Sequence, residues 1–149
     1  MIKAIELQIG DFVLVDGIPR KVEAITKKKI GYHRKENEPR LYYARLRDVE
    51  PIEITEELLV KSGFGEVDLD GLVLQYDQGN KLCLKLKDSL FENYTWYYAI
   101  HKHGNFWFMD FMGKTPSGIP NVNRTAIRSL HDLRCLIKAT SGHNFEVKL

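Results

Sequence analysis

Apolar and polar residues alternate along much of this 149-residue chain, and this alternation predicts β-strands with one buried face. The clearest example is residues 9–25, where two alternating runs flank Asp16-Gly17. An Asp-Gly pair favours a two-residue hairpin turn, because both turn residues must accept a positive φ. We therefore predict a hairpin here, with Val13 and Val15 on one face and a second strand that runs on to Ala24.

The same pattern predicts several further strands, and the breaks in it predict loops. Strands are expected at residues 41–49, 72–76, 81–87, 96–100 and 106–111, and a final edge strand at residues 145–149. Turns are expected at residues 27–29, 77–80 and 101–105, and a longer loop at residues 115–123. The chain is expected to leave the first sheet over residues 49–52, because Pro51 cannot continue a hydrogen-bonded ladder. In the strand over residues 81–87, the leucines are predicted to face inward and Cys83 outward.

Two segments carry the signals of helices. Residues 55–62 begin at Thr55, which suits the N-cap, and Gly63 follows at the position where helices favour glycine. Residues 125–141 place apolar side chains at helical spacing and are followed by Gly142. Both segments are therefore predicted to be helical, and the second is the longer.

Together these elements predict an α+β, mostly β protein. Residues 1–50 are predicted to form an SH3-like small barrel. Residues 51–149 are predicted to form an antiparallel sheet that carries the bridging helix and is packed by the C-terminal helix. The two parts either form separate domains or share one core. A chain of this length buries about 70% of its unfolded surface, so it needs neither a metal nor a disulfide to fold.

The composition is that of an ordinary globular protein, with 44% hydrophobic and 28% charged residues. No run approaches the ~20 apolar residues of a membrane helix. The first residues lack the features of a signal peptide. Cys83 and Cys135 are far apart and lack motif partners, so both are interpreted as reduced thiols and the protein is expected in the cytoplasm.

The positive charge is concentrated in one segment. Residues 20–47 contain ten Lys or Arg and three Asp or Glu, a balance of +7. The remainder contains twelve and seventeen, a balance of −5, which together give the net charge of +2. Such a segment indicates a polyanionic partner or a solvated hairpin whose lysines protect edge strands.

Aromatic residues are interspersed among these cations, which is typical of small domains that bind nucleic acid. Cations neutralise phosphates, and flat rings stack on unpaired bases. We therefore predict a nucleic-acid-binding site formed by Lys27, Lys28, Lys29, Tyr32, Arg34, Lys35, Arg40, Tyr43, Arg45 and Arg47.

A second candidate surface is the aromatic segment. Residues 91–111 contain nine of the sixteen aromatic residues, with large rings on both faces of the predicted hairpin. These rings are either the core of the second sheet or, if exposed, a protein-binding or dimer surface through residues 94–111.

The sequence motifs that could support catalysis are incomplete. Gly113-Lys114-Thr115 imitates the end of a phosphate-binding loop, but Phe108 stands where the first glycine is required. On a strand, His101 and His103 would point to one face, yet a catalytic zinc needs a third protein ligand. His33 or His143 could supply it, but nothing in the sequence brings either of them close. His131 is interpreted as a hydrogen-bonded structural residue. We predict no catalytic residues, no metal site and no cofactor.

Three stretches resemble, in order and spacing, a group of small uncharacterised proteins of anaerobic gut bacteria and of their phages and mobile elements. The stretches are residues 7–13, 51–64 and 130–136. The first is a Gly-Asp hairpin and the second is a Pro-Ile-Glu-Ile-Thr-Glu-Glu-Leu-Leu helix that ends in Gly-Phe. In the third, Arg134-Cys135 replaces the Gln-Asn of the group. The resemblance implies a shared fold and a mobile-element setting, and it implies no activity.

The leading hypothesis is a non-enzymatic binding or adaptor protein that contacts nucleic acid through the basic, Tyr-containing segment. One alternative is a structural or protein-interaction component, related to phages or mobile elements, that assembles through the aromatic hairpin. A metal-dependent hydrolase built on His101 and His103 is the other alternative.

Overall fold

The computed structural model describes residues 6–65, 82–116 and 122–149. These residues contain ten β-strands and two α-helices, so the protein is α+β and mostly β, as predicted. The chain divides into two compact units. The first unit comprises residues 1–53 and Ser129–Asp132, and the second comprises Ile54–Arg128 and Leu133–Leu149. The strand predicted at 72–76 and the turn at 77–80 lie outside the described residues.

The strands are, in chain order, β1 (Phe12–Val15), β2 (Ile18–Lys21), β3 (Ala24–Ile25), β4 (Lys29–Tyr32), β5 (Tyr42–Arg45), β6 (Val49–Pro51), β7 (Leu82–Lys87), β8 (Thr95–His103), β9 (Phe106–Lys114) and β10 (Asn123–Ile127). The helices are α1 (Glu56–Lys61) and α2 (Leu130–Ser141). All strand pairs are antiparallel.

The predicted N-terminal hairpin is confirmed. β1 and β2 pair around Asp16 and Gly17, which both have positive φ (53° and 73°). The second strand was predicted to reach Ala24, and this is wrong. Val22 donates its amide to Asp11, whereas Glu23 donates to Gly31. The chain therefore changes its hydrogen-bonding partner after Val22, and Ala24 begins a strand of another sheet.

Residues 49–51 still belong to the first sheet, contrary to the prediction, and the strand ends at Pro51. Val49–Pro51 pairs with β1 in the register Val13↔Pro51, and the sheet has the order β2-β1-β6. The outer position of β6 explains the tolerance for proline, because an edge strand has one side on which no amide donor is needed. Sequence pattern alone does not reveal which strand lies at an edge.

The second sheet of the first unit has the order β3-β4-β5 and includes a strand that the pattern did not predict, β4. Both sheets bury their apolar faces in one core, formed by Leu7, Val13, Val15, Val22, Ile30, Tyr32, Ala44 and Val49. The described strands of this unit form two three-stranded sheets without a closed barrel, so the SH3-like barrel is not confirmed.

In the second unit, α1 forms where its capping residues predict it. Thr55 accepts a hydrogen bond from the amide of Leu58 (3.2 Å). At the other end Gly63 adopts φ 102°, and the amide of Phe64 donates to Leu59. Phe64 is buried and holds the helix end against the core. Local chemistry therefore determines both ends of α1.

The four-stranded sheet of the second unit has the order β10-β9-β8-β7. The predicted turn at 101–105 is wrong, because pairing continues to His103↔Phe106 and only Gly104 and Asn105 remain in the turn. Both His101 and His103 therefore lie on β8, two residues apart and on one face of the strand.

The second helix begins at Leu130, not at residue 125 as predicted. Residues 123–127 form β10, which pairs with β9 in the register Thr125↔Met109. The β-branched Thr125 and Ile127 suit a strand, and pairing with β9 decides between the two periodicities. The predicted end is confirmed, since Gly142 has φ 73° and donates to Lys138. The described residues 145–149 form no strand.

The predictions about the two cysteines and about membrane helices also concern the described residues. Cys83 is buried and Cys135 is partly buried. Cys83 was predicted to face outward with the lysines of β7, but it packs in a buried cluster with Tyr97, Ala99 and Met112. Within the described ranges, neither helix is long and apolar enough to cross a membrane.

Candidate nucleic-acid interface

The turn between β3 and β4 presents lysines on a fixed backbone. Lys27 and Lys28 are exposed, and Lys29 is the first residue of β4. The hydroxyl of Thr26 accepts hydrogen bonds from the amides of Lys29 (3.0 Å) and Lys28 (3.4 Å). The carbonyl of Lys28 accepts from Leu46, the residue after β5. These bonds hold the lysine turn beside the end of β5.

Strand register adds an arginine and a tyrosine to this group. Lys29 pairs with Arg45, and Gly31 pairs with Tyr43. Because side chains alternate between the faces of a sheet, Lys29, Tyr43 and Arg45 lie on the face opposite the buried Ile30. We call the exposed group formed by Lys27, Lys28, Lys29, Tyr43, Arg45 and Arg47 the basic patch.

Tyr43 is the aromatic residue of the patch. Its residue surface is 55% exposed, and its ring lies close to the backbone of Gly31. A methyl group at Gly31 would lie 3.2 Å from Cε1 of Tyr43 and 3.0 Å from Cβ of Ala24. The absence of a side chain at Gly31 therefore allows the ring to rest on the sheet. A supported, exposed ring beside a pair of cations is a surface on which a base can stack.

The remaining predicted residues form a different group around the β4–β5 loop. The guanidinium groups of Arg34 and Arg40 lie over the ring of Tyr42, at 4.1 Å and 5.1 Å from its centroid. The hydroxyl of Tyr42 donates to Oε1 of Glu38 (3.1 Å). Tyr32 is buried. These contacts give the loop arginines structural partners within the protein.

The structure thus divides the ten predicted residues into two sets. Six form the basic patch, at the turn end of the β3-β4-β5 sheet. The other four lie at the opposite end of β4 and β5: Tyr32 is the last residue of β4, and Arg34, Lys35 and Arg40 belong to the β4–β5 loop. Arg47 also has an acidic neighbour, with its Nε 3.6 Å from Oδ1 of Asp48, but an exposed pair of this kind contributes little.

A charged cluster around a buried carboxylate in the second unit was not predicted from the sequence. Asp110 is fully buried and accepts two hydrogen bonds from Arg124, at 2.6 Å from Nε and 3.0 Å from Nη2. Nη2 of Arg124 also lies 3.2 Å from Nε2 of His101. The pair Arg124↔Asp110 follows from the register of β9 and β10, so only recognition of β10 as a strand reveals it.

The histidines considered for a metal site lie in different surroundings. His101 is beside the Arg124 guanidinium, whereas His103 is exposed. The ring of His33 hydrogen-bonds to the carbonyl of Arg40, and that of His143 to the carbonyl of Lys87. Within the ranges that the structure describes, no three His, Cys, Asp or Glu residues are grouped to hold a metal ion.

His131 has the structural environment that was predicted for it. It is buried, and its Nδ1 lies 2.8 Å from Oγ of Ser129. Its Nε2 lies 3.4 Å from Oδ1 of Asp132. The ring thus has polar partners at both nitrogens.

Of the nine aromatic residues in the aromatic segment, two are buried, five are partly buried and two are exposed. Tyr97 and Tyr98 point to opposite faces of β8 and are both buried. Tyr98 reaches Thr140 of α2, with 2.6 Å between the two hydroxyl oxygens, and burial raises its pKa. Phe106, at the hairpin turn, is 67% exposed.

No protein-family model matches the chain, and no curated protein or solved structure is significantly similar to it. The resemblance based on the three motifs therefore stays a prediction. A function for this protein must be inferred from its own residues.

Proposed function

We propose that this protein binds single-stranded nucleic acid without sequence preference, through the basic patch, and acts as a binding protein and not as an enzyme. An SH3-like arrangement of the first unit and a cytoplasmic location belong to the same proposal. The observation that carries it is the exposed ring of Tyr43, which rests on Gly31 and lies on the same face of the sheet as the neighbouring cross-strand pair of Lys29 and Arg45.

The patch supplies the two contacts that an unpaired strand requires. The exposed cations offer charge to successive phosphates, and each contact releases a condensed counterion. Tyr43 offers a flat face to a base, a contact that is independent of sequence because every base has a π-face. A duplex keeps its bases stacked inside, so it gains only the phosphate contacts. The patch therefore favours single strands.

Salt dependence tests the electrostatic part of the proposal. The measurement is the fluorescence anisotropy of labelled 12-nucleotide DNA and RNA strands, titrated with the full chain at 50 to 200 mM NaCl. Four phosphate contacts would give a slope of log K against log[NaCl] of about −3. The absence of binding to both strands at 50 mM NaCl, or an affinity that does not change with salt, would contradict the proposal.

Tyr43→Ala tests the stacking part. We expect it to weaken single-strand binding about tenfold, the scale of one lost base–aromatic contact, with an unchanged salt slope. Tyr43→Phe should bind within about twofold of the wild type, because the ring is retained. Phe106→Ala is the matched control, since Phe106 is exposed but outside the patch. Equal losses in Tyr43→Ala for single strands and for a duplex would refute stacking while leaving phosphate binding intact.

A further inference from the structure

The second unit contains a small polar pocket of about 200 Å³, lined by Asn93, Thr95, Tyr97, Lys114, Thr115 and Pro116. We propose that this pocket binds a phosphate group, either as inorganic phosphate or as the phosphoryl group of a small phosphomonoester. The proposal concerns residues of the second unit and does not depend on the basic patch.

Strand register places three lysines on the face of the sheet that carries Thr95, and one of them, Lys114, lines the pocket. Lys87 and Lys114 pair with Thr95 from its two sides, so all three side chains emerge on one face of the sheet. Lys85, two residues before Lys87, lies on the same face, and its Nζ is 5.5 Å from the ring centroid of Tyr97. Cations of β7 and β9, the two strands on either side of β8, thus flank the hydroxyl groups that β8 contributes to the pocket.

The lining residues can donate hydrogen bonds and include no carboxylate. Thr95, Thr115 and Tyr97 offer hydroxyl groups, Asn93 an amide and Lys114 an ammonium group. A phosphate presents several acceptor oxygens, which match this set of donors. The pocket chemistry therefore selects an oxyanion over a cation.

The carboxylate of Asp88, next to the lysine of β7 that pairs with Thr95, is engaged elsewhere. Asp88 follows Lys87, but its carboxylate accepts hydrogen bonds from the amide of Leu90 (2.8 Å) and from Nε1 of Trp96 (2.9 Å). These bonds lower the pKa of Asp88. Trp96 lies on the face of β8 opposite Thr95, so the carboxylate does not neutralise the lysines of the pocket.

The volume of the pocket limits the size of the ligand that it can hold. Sites for drug-sized molecules occupy about 300–1,000 Å³, so a volume of 200 Å³ suits a much smaller group. Inorganic phosphate and the end of a small phosphomonoester both meet this limit.

Calorimetric titration of the full chain with inorganic phosphate, at constant ionic strength set with NaCl, tests the site. We expect saturable binding of one phosphate by the wild type. Lys114→Met should weaken it at least about tenfold, as expected when a charge-assisted hydrogen bond is lost. Lys138→Met is the matched control, because Lys138 is exposed on α2, which packs through Thr140 on the opposite face of the sheet. This control should bind phosphate like the wild type.

A second variant removes a donor without changing charge. Thr95→Val deletes one hydroxyl of the pocket, and we expect about fivefold weaker binding from the lost hydrogen bond. Thermal unfolding without phosphate verifies that each variant is folded.

Titration with glycerol phosphate distinguishes the two ligands. Tighter binding than that of inorganic phosphate assigns the site to a phosphomonoester, and weaker binding assigns it to the free anion. No saturable phosphate binding by the wild type, or equal affinities for folded Lys114→Met and Lys138→Met, would overturn the proposal.

Discussion

Arg124→Met is expected to lower the free energy of unfolding by about 3 kcal/mol, because it leaves the Asp110 carboxylate buried without its main partner. Asp110 is fully buried, and Arg124 contacts both of its oxygens. Urea unfolding followed by circular dichroism measures the change. Lys138→Met, which removes an exposed cation, should change the stability by less than about 0.5 kcal/mol.

A double variant separates the charge effect from lost packing. Arg124→Met combined with Asp110→Leu removes both charges, and we expect it to recover at least half of the stability lost by Arg124→Met alone. If Arg124→Met is as stable as Lys138→Met, the contact between Arg124 and Asp110 does not stabilise the fold and this prediction is wrong.

Replacing Lys27, Lys28 and Lys29 together by glutamine should weaken single-strand binding about 100-fold at 50 mM NaCl, since up to three phosphate contacts are lost. The slope of log K against log[NaCl] should become less steep by about 2. Fluorescence anisotropy over the same salt range measures both quantities. The folded state should persist, because these side chains lie at an exposed turn.

The β4–β5 loop provides a control of equal charge. Arg34→Gln, Lys35→Gln and Arg40→Gln together remove three positive charges from the same unit, outside the basic patch. We expect less than tenfold weaker binding, since two of these residues stack on Tyr42. Equal losses for the two triple variants would show that overall charge, and not the basic patch, governs binding.

Elements with local determinants were predicted well from sequence. The Asp16-Gly17 turn needs positive φ at two adjacent residues, and few residue pairs other than Asp-Gly satisfy this. The ends of α1 depend on Thr55 and Gly63, which act on neighbours three or four residues away. Such interactions are complete within a short segment, so their outcome can be inferred without the rest of the fold.

Elements that depend on distant partners were predicted poorly. β6 was missed because Pro51 is acceptable only at a sheet edge, and the edge is defined by β1, more than thirty residues earlier. The N-terminal part of the predicted second helix is β10, because β9 offers it a pairing partner. A period of two or of 3.6 fits a short apolar run equally, and the partner strand decides between them.

The candidate site also combines features that the local sequence determines with features that depend on distant partners. The sequence alone determines that residues 20–47 carry an excess of seven positive charges with tyrosines among them. Only the tertiary structure decides that Lys29, Tyr43 and Arg45 share an exposed face while Arg34 and Arg40 stack on Tyr42. The physical reason is that charge is a property of each residue taken alone. Whether two side chains meet depends instead on the register between strands, and that register is determined jointly by backbone hydrogen bonds and by the shared core.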